Sequence, residues 1–132
     1  MFNPNYGYTK TLQGMSMKEV RDLIAFHLRD QGLGILTEID VSRIMREKLG
    51  REFRPYKILG FCNPQFAFEA LSADLGVGLL LPCNAILFEN DDQSITVSII
   101  KPASMFQVLE RPSGTPLWEE VDRRLQKVFE AL

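Results

Sequence analysis

The chain has 132 residues, is 45% hydrophobic and 24% charged, and sets 15 Lys and Arg against 17 Asp and Glu, the composition of one soluble globular domain spanning 1–132. A net charge of −2 and a pI near 5.4 argue against a dedicated nucleic-acid binder, and two cysteines with one histidine are too few for an all-Cys/His structural zinc site. The apolar stretch around Leu79 to Leu81 is far short of a membrane span, and Met1-Phe2-Asn3-Pro4-Asn5 lacks the basic and apolar regions of a signal peptide, so a cytoplasmic protein with reduced thiols is expected. In chain order, Tyr6 to Leu12 reads as a strand closed by Gly14. Ser16 and Glu19 have capping-box spacing, and Val20, Leu23, Ile24, His27 and Leu28 follow at i, i+3, i+4, i+7 and i+8, a helix with one buried face stopped by Gly32 and Gly34. Ile35 to Ile39 is the next strand. Asp40 caps a second helix, whose apolar stripe is Val41, Ile44, Met45 and Leu49 and whose end is Gly50.

Tyr56 to Phe61 is a third strand. Asn63-Pro64 then supplies an N-cap amide followed by proline at the first helical position, where its missing N–H costs nothing, and the short helix presents Phe66, Ala67, Ala70 and Leu71. After a turn near Asp74 to Gly78, Leu79 to Glu89 is extended, broken or bulged at Pro82. Asn90-Asp91-Asp92-Gln93 is a hairpin loop returning into Ser94 to Ile100. Asp91 and Asp92, beside Glu89, are turn chemistry and lack the spacing of a calcium loop. Pro102 to Leu109 holds a helical turn, and Thr115-Pro116 starts a last helix with Trp118, Val121, Leu125, Val128, Phe129 and Leu132 on one face. The order β-α-β-α-β-α-β-β-α, with a hairpin late and no glycine-rich phosphate turn, predicts an α+β two-layer sandwich. Its sheet is about five-stranded, mixed or largely antiparallel, with helices packed on one face.

The sharpest local feature is a near-repeat, Cys62-Asn63-Pro64 and Pro82-Cys83-Asn84, each a Cys-Asn pair beside proline at a strand boundary. A helix from Asn63 to Ser72 is about 15 Å long, and Ala73 to Leu81 is long enough to run back that distance, so antiparallel neighbours would bring Cys62 and Cys83 to one sheet end and parallel ones to opposite ends. If they meet, Cys62 just before a helix N-terminus has a lowered thiol pKa, and the two cysteines with Asn63, Pro82 and Asn84 form a small-ligand or redox-responsive pocket. The alternative makes both cysteines buried hydrophobes, Asn63 an N-cap and Pro82 an edge-strand stop. His27, on the apolar stripe, reads as a core-boundary histidine bonded to a backbone carbonyl, with a role in the site only if it approaches a cysteine. Residues 43–57 carry Arg43, Arg46, Lys48, Arg51, Arg54 and Lys57 against Glu47 and Glu52, a solvated face or an anion-binding patch.

Ile58-Leu59-Gly60-Phe61-Cys62-Asn63-Pro64, then Ala67, Ala70-Leu71, Gly78-Leu79-Leu80-Leu81-Pro82-Cys83-Asn84 and Glu89, with Gly32 to Asp40 and Lys48-Leu49-Gly50 upstream, resemble the family of domain of unknown function 302 from about Tyr8 to Phe129. The resemblance implies a small, commonly dimeric α+β protein of prokaryotes, marks the two Cys-Asn motifs as hallmark positions, and supplies no catalytic residue; the cofactor is left unassigned. Three functions follow as expectations. The first is a homodimer with a ligand-binding or redox-responsive pocket at the two motifs, with no catalytic constellation assignable. The second is a pure interaction module burying aromatics such as Phe106 and Trp118, and the third a thiol oxidoreductase, which lacks a Cys-x-x-Cys element. Nucleic acid and membrane are not expected partners.

Overall fold

The structure, a computed structural model, describes residues 2–107 and 116–132. Chain order is β1 (Gly7–Leu12), α1 (Met17–Asp30), β2 (Gly34–Asp40), α2 (Val41–Leu49), β3 (Tyr56–Cys62), α3 (Pro64–Ala73), a 3-10 turn (Leu75–Leu80), β4 (Cys83–Glu89), β5 (Ile95–Ile100), α4 (Pro102–Phe106) and α5 (Pro116–Ala131). The sheet runs β1-β5-β4-β3-β2 and every neighbouring pair is antiparallel, so the α+β class holds and no parallel pair enters the sheet. α2 and α3 are therefore excursions that return the chain beside the strand it left.

Local chemistry accounts for the element starts. Ser16 Oγ accepts from Glu19 N at 3.1 Å while Glu19 Oε1 accepts from Ser16 N at 3.3 Å, closing the capping box of α1. Asp40 caps α2 by accepting from Arg43 N, and Gly50 ends it in the left-handed conformation. In the β4–β5 hairpin Asp92 accepts from Ser94, as turn chemistry predicts. β4 begins only at Cys83: Leu79 and Leu80 belong to the 3-10 turn, and Pro82, without an amide, cannot extend the ladder, so the extended run predicted from Leu79 is shorter. Thr115, the Pro102–Leu109 turn beyond residue 107, and the Phe106 side chain lie outside the described residues.

The core lies on one face of the sheet. Leu59, Phe61, Cys83, Ala85, Leu87, Ile95, Val97 and Ile99 pack against Val20, Ile24 and Leu28 of α1 and Val121, Leu125 and Val128 of α5. Burying each large side chain contributes about 1.5–3 kcal/mol. Tyr8 Oη donates to Asp122 Oδ1 at 2.6 Å and Lys10 Nζ to the Phe129 carbonyl at 2.8 Å, tying α5 to edge strand β1. At the opposite edge Glu38 pairs with Arg21 (2.8 Å) and Lys57 (3.1 Å).

The second sheet face adds little to that core beyond Ile100 at the end of β5. It carries hydrogen-bonded hydroxyls, Thr9 with Ser98 and Thr11 with Thr96, beside an aromatic row, Phe53–Tyr56–Phe88–Phe2. Ile39 on this face is exposed. The stripe of α2 departs from expectation too, since none of Val41, Ile44, Met45 or Leu49 is buried and α2 touches chiefly β3. Periodicity reports that a helix has an apolar side, and whether anything lies over it is a tertiary matter. Of the basic residues in 43–57, Arg43 pairs with Glu47, Arg54 with Asp91 and Lys57 with Glu38, as on a solvated face.

Candidate functional site

The two cysteine motifs meet. β3 and β4 are antiparallel with Phe61 opposite Cys83, which brings Cys62 and Cys83 to the same sheet end. There, α3, Leu81 and α5 close a cavity of about 20 Å³ lined by Leu33, Phe61, Cys62, Asn63, Phe66, Ala67, Ala70, Leu81, Cys83, Trp118 and Val121. Nearly all of that wall is apolar. The volume is enough for about one water molecule.

Asn63 builds the rim. Its Oδ1 accepts from Gln65 N (2.9 Å) and Phe66 N (3.1 Å), satisfying orphan donors of α3, and its Nδ2 donates to the Gly32 carbonyl at 2.8 Å. The cap reading of Asn63 is thus structurally complete, and its amide also ties α3 to the turn between α1 and β2. Gly32 has φ +73°, and a Cβ there would lie 3.0 Å from Arg124 Nη1 and 3.3 Å from Asn63 Nδ2. Only glycine suits both the left-handed backbone and the crowding.

The thiols differ from the activated form expected. Burial pushes the Cys83 thiol up to about 12, with the nearby Cys62 thiol adding to the shift, and burial also pushes Cys62 above its ordinary value. For Cys62, burial outweighs a backbone hydrogen bond at Asn63 that favours the thiolate. The Cys62 Sγ also donates to the Asn63 carbonyl at 3.4 Å, and the first free amides of α3 are taken by the Asn63 side chain. Both cysteines are free. Cys83 faces Phe61 in register and Cys62 stands one residue further along, at the last position of β3, where both thiols line the cavity.

The other predicted residues divide. Asn84 sits on the opposite sheet face, exposed, beside Gly60, because successive strand residues alternate; it does not join Cys83 in the cavity. Pro82 is half-buried and covers Gly60, where an added Cβ would collide with Thr37 Oγ1 and lie 2.7 Å from Pro82 Cγ. His27 does not line the cavity; its ring meets Phe26 edge-on at 5.2 Å, and the backbone hydrogen bond expected of it is absent. Among the described residues no three His, Cys, Asp or Glu side chains are grouped to hold a metal ion, and no helix is long and apolar enough to cross a membrane.

Arg124 and Phe66 are where sequence reasoning fell short. Arg124 Nε donates to Glu120 (3.0 Å), Nη1 donates to the Gln31 carbonyl (2.9 Å), and the guanidinium lies 4.9 Å from the centre of the Phe66 ring. The signal was present: 121, 124, 125 and 128 have i, i+3, i+4, i+7 spacing, which sets a charge on the buried arc of α5. Beyond Arg124 opens a second cavity of about 350 Å³, lined by Asp30, Gln31, Gly32, Glu120, Arg123, Arg124 and Lys127.

The sequence profile described as Domain of unknown function DUF302 matches residues 8–132. The fold is similar to a crystal structure described as an uncharacterized conserved DUF302 protein from Bacillus stearothermophilus, with a TM-score of 0.85 and 26% identity over 97% of this chain and 98% of that one. No curated protein sequence matches the chain.

Proposed function

The chain belongs to the family of the domain of unknown function DUF302, and we propose that it is a small-ligand-binding domain whose site is the apolar cavity at the β3–β4 end. The observation that carries this reading is the convergence of Cys62 and Cys83, 21 positions apart, on one cavity with otherwise apolar walls and, at its rim, an asparagine whose oxygen and nitrogen are both hydrogen-bonded. The thiols act as lining: burial raises both above their ordinary values, which disfavours thiol–disulfide exchange. The proposed setting is a cytoplasm that keeps them reduced.

A ligand must enlarge the cavity. α3 and the 3-10 turn pack chiefly on each other around Ala70 and Val77, a small cluster apart from the main core, and leave Phe68, Leu75 and Leu79 exposed. That segment is the wall with least to lose by moving. Trp118, the sole tryptophan, lines the cavity and reports occupancy. Titration with 1-hexanol is expected to change its emission saturably, and Ala67→Leu, which fills the cavity, to abolish the response. No saturable change by about 10 mM, a weak affinity even for a ligand of this size, refutes the proposal.

A second reading, self-association, is favoured by the amphipathic α2 that buries none of its stripe, together with exposed Ile39 and Phe53. The contact would use a face rather than the β2 edge, because β2 carries an irregularity between Ile35 and Thr37 and the inward charge of Glu38, both of which blunt edge pairing. Sedimentation velocity is expected to show a dimer that Phe53→Asp converts to monomer; a monomeric wild type at micromolar concentration excludes it.

A further inference from the structure

We infer that the ligand of this pocket is a small amphipathic acid, its apolar body between the sheet end and α3 and its carboxylate on Arg124. The inference rests on the pocket reading above and adds the chemistry of the ligand's head.

The apolar cavity and the polar cleft share a wall. Phe66 lines the first and Arg124 the second, and the guanidinium lies 4.9 Å from the centre of the Phe66 ring. Likewise Asn63 lines the first and Gly32 the second, joined by the 2.8 Å amide hydrogen bond. A molecule with its apolar part against Phe66 therefore has its polar end at Arg124.

At this wall most polar atoms are already committed. Asn63 uses its oxygen on two α3 amides and its nitrogen on Gly32, and Cys62 is bonded to the Asn63 carbonyl. Arg124 is different: Glu120 and Gln31 occupy two of its five N–H donors, and its planar guanidinium, centred 4.9 Å from the middle of the Phe66 ring, presents the rest in its own plane. That fork matches a carboxylate. The surrounding charge has the right sign, since Arg123, Arg124 and Lys127 face Asp30 and Glu120, and Glu120 is already paired with both arginines. An incoming carboxylate thus meets a net positive cleft, whereas an ammonium would meet Arg124 head-on.

The test compares sodium hexanoate with 1-hexanol, two probes with the same chain and different heads, by Trp118 emission and calorimetry on the full chain. Wild type is expected to bind hexanoate about tenfold more tightly than hexanol, the effect of one charge-assisted hydrogen-bonded pair. Arg124→Gln should bring the two within about twofold by weakening hexanoate alone, and Arg124→Lys should restore part of the preference. Should Arg124→Gln fail to fold, the wild-type comparison and Arg124→Lys decide. Hexanol binding as well as hexanoate, or a preference that survives Arg124→Gln, overturns the acid head and leaves the pocket standing. Failure of both probes overturns the pocket and this inference together.

Discussion

Replacing Asn63 separates two jobs that one side chain performs at the rim of the cavity. Asn63→Ala removes the oxygen that accepts from Gln65 N and Phe66 N and the nitrogen that donates to Gly32. Loss of the cap costs about 1 kcal/mol. Loss of the donor adds up to about 1 kcal/mol, less whatever water returns to the exposed Gly32 carbonyl. The expected loss is therefore about 1.5–2 kcal/mol, or roughly 5–9 °C in Tm for a chain of this size. Asn63→Asp keeps the acceptor and sets a negative charge at the N-terminus of α3, which is favourable by about 0.3–1 kcal/mol, yet it turns a carboxylate toward the Gly32 carbonyl. It should fall between wild type and Asn63→Ala, losing about 1 kcal/mol. Urea unfolding followed by far-UV circular dichroism measures both. An Asn63→Ala variant within about 0.5 kcal/mol of wild type, half the typical cap contribution, refutes the cap-and-tie account, and an Asp variant weaker than Ala refutes the helix-terminus part of it.

With a colorimetric thiol reagent at pH 7.5, Cys62 should react slowly and Cys83 only on unfolding, because burial raises both thiols; rapid modification of both would contradict this. The raised Cys83 pKa also sets a sign: the unfolded thiol loses its proton near pH 8.5–9 while the folded one keeps it to about 12, so stability should fall as pH rises through that window, less so in Cys83→Ala. Although burial alone would raise Glu38, Arg21 and Lys57 hold its carboxyl below the usual range. Its contribution is thus present above the unfolded carboxylate pKa and lost as pH falls through the folded one; Glu38→Gln should cost about 1 kcal/mol at pH 7 for this partly exposed pair, with the difference vanishing in acid unfolding curves. Gly60→Ala should lose about 1–3 kcal/mol by colliding with Thr37 and Pro82, and Thr37→Ala added to it should recover part of that loss in the same denaturant assay.

Much of this protein is written locally. Ser16 and Glu19, Asp40 and Gly50, Asn63-Pro64 and the Asn90–Gln93 loop each carry their own start or stop chemistry, because caps and turns are satisfied within a few residues. The α+β class followed from element order, and the length of α3 with its return already allowed the two cysteines to meet. Tertiary structure decided whatever depends on what lies opposite a side chain. It sent Asn84 to one face and Cys83 to the other by strand parity, and it buried both thiols enough to raise them despite the helix start beside Cys62. It also left the stripe of α2 without a fully buried residue and set Arg124 beside the ring of Phe66, 58 positions away in the chain. Hydrophobic period and capping are short-range properties of a chain, whereas burial, and with it the pKa of a thiol or the spare donors of a guanidinium, belongs to the neighbours that only the folded chain supplies.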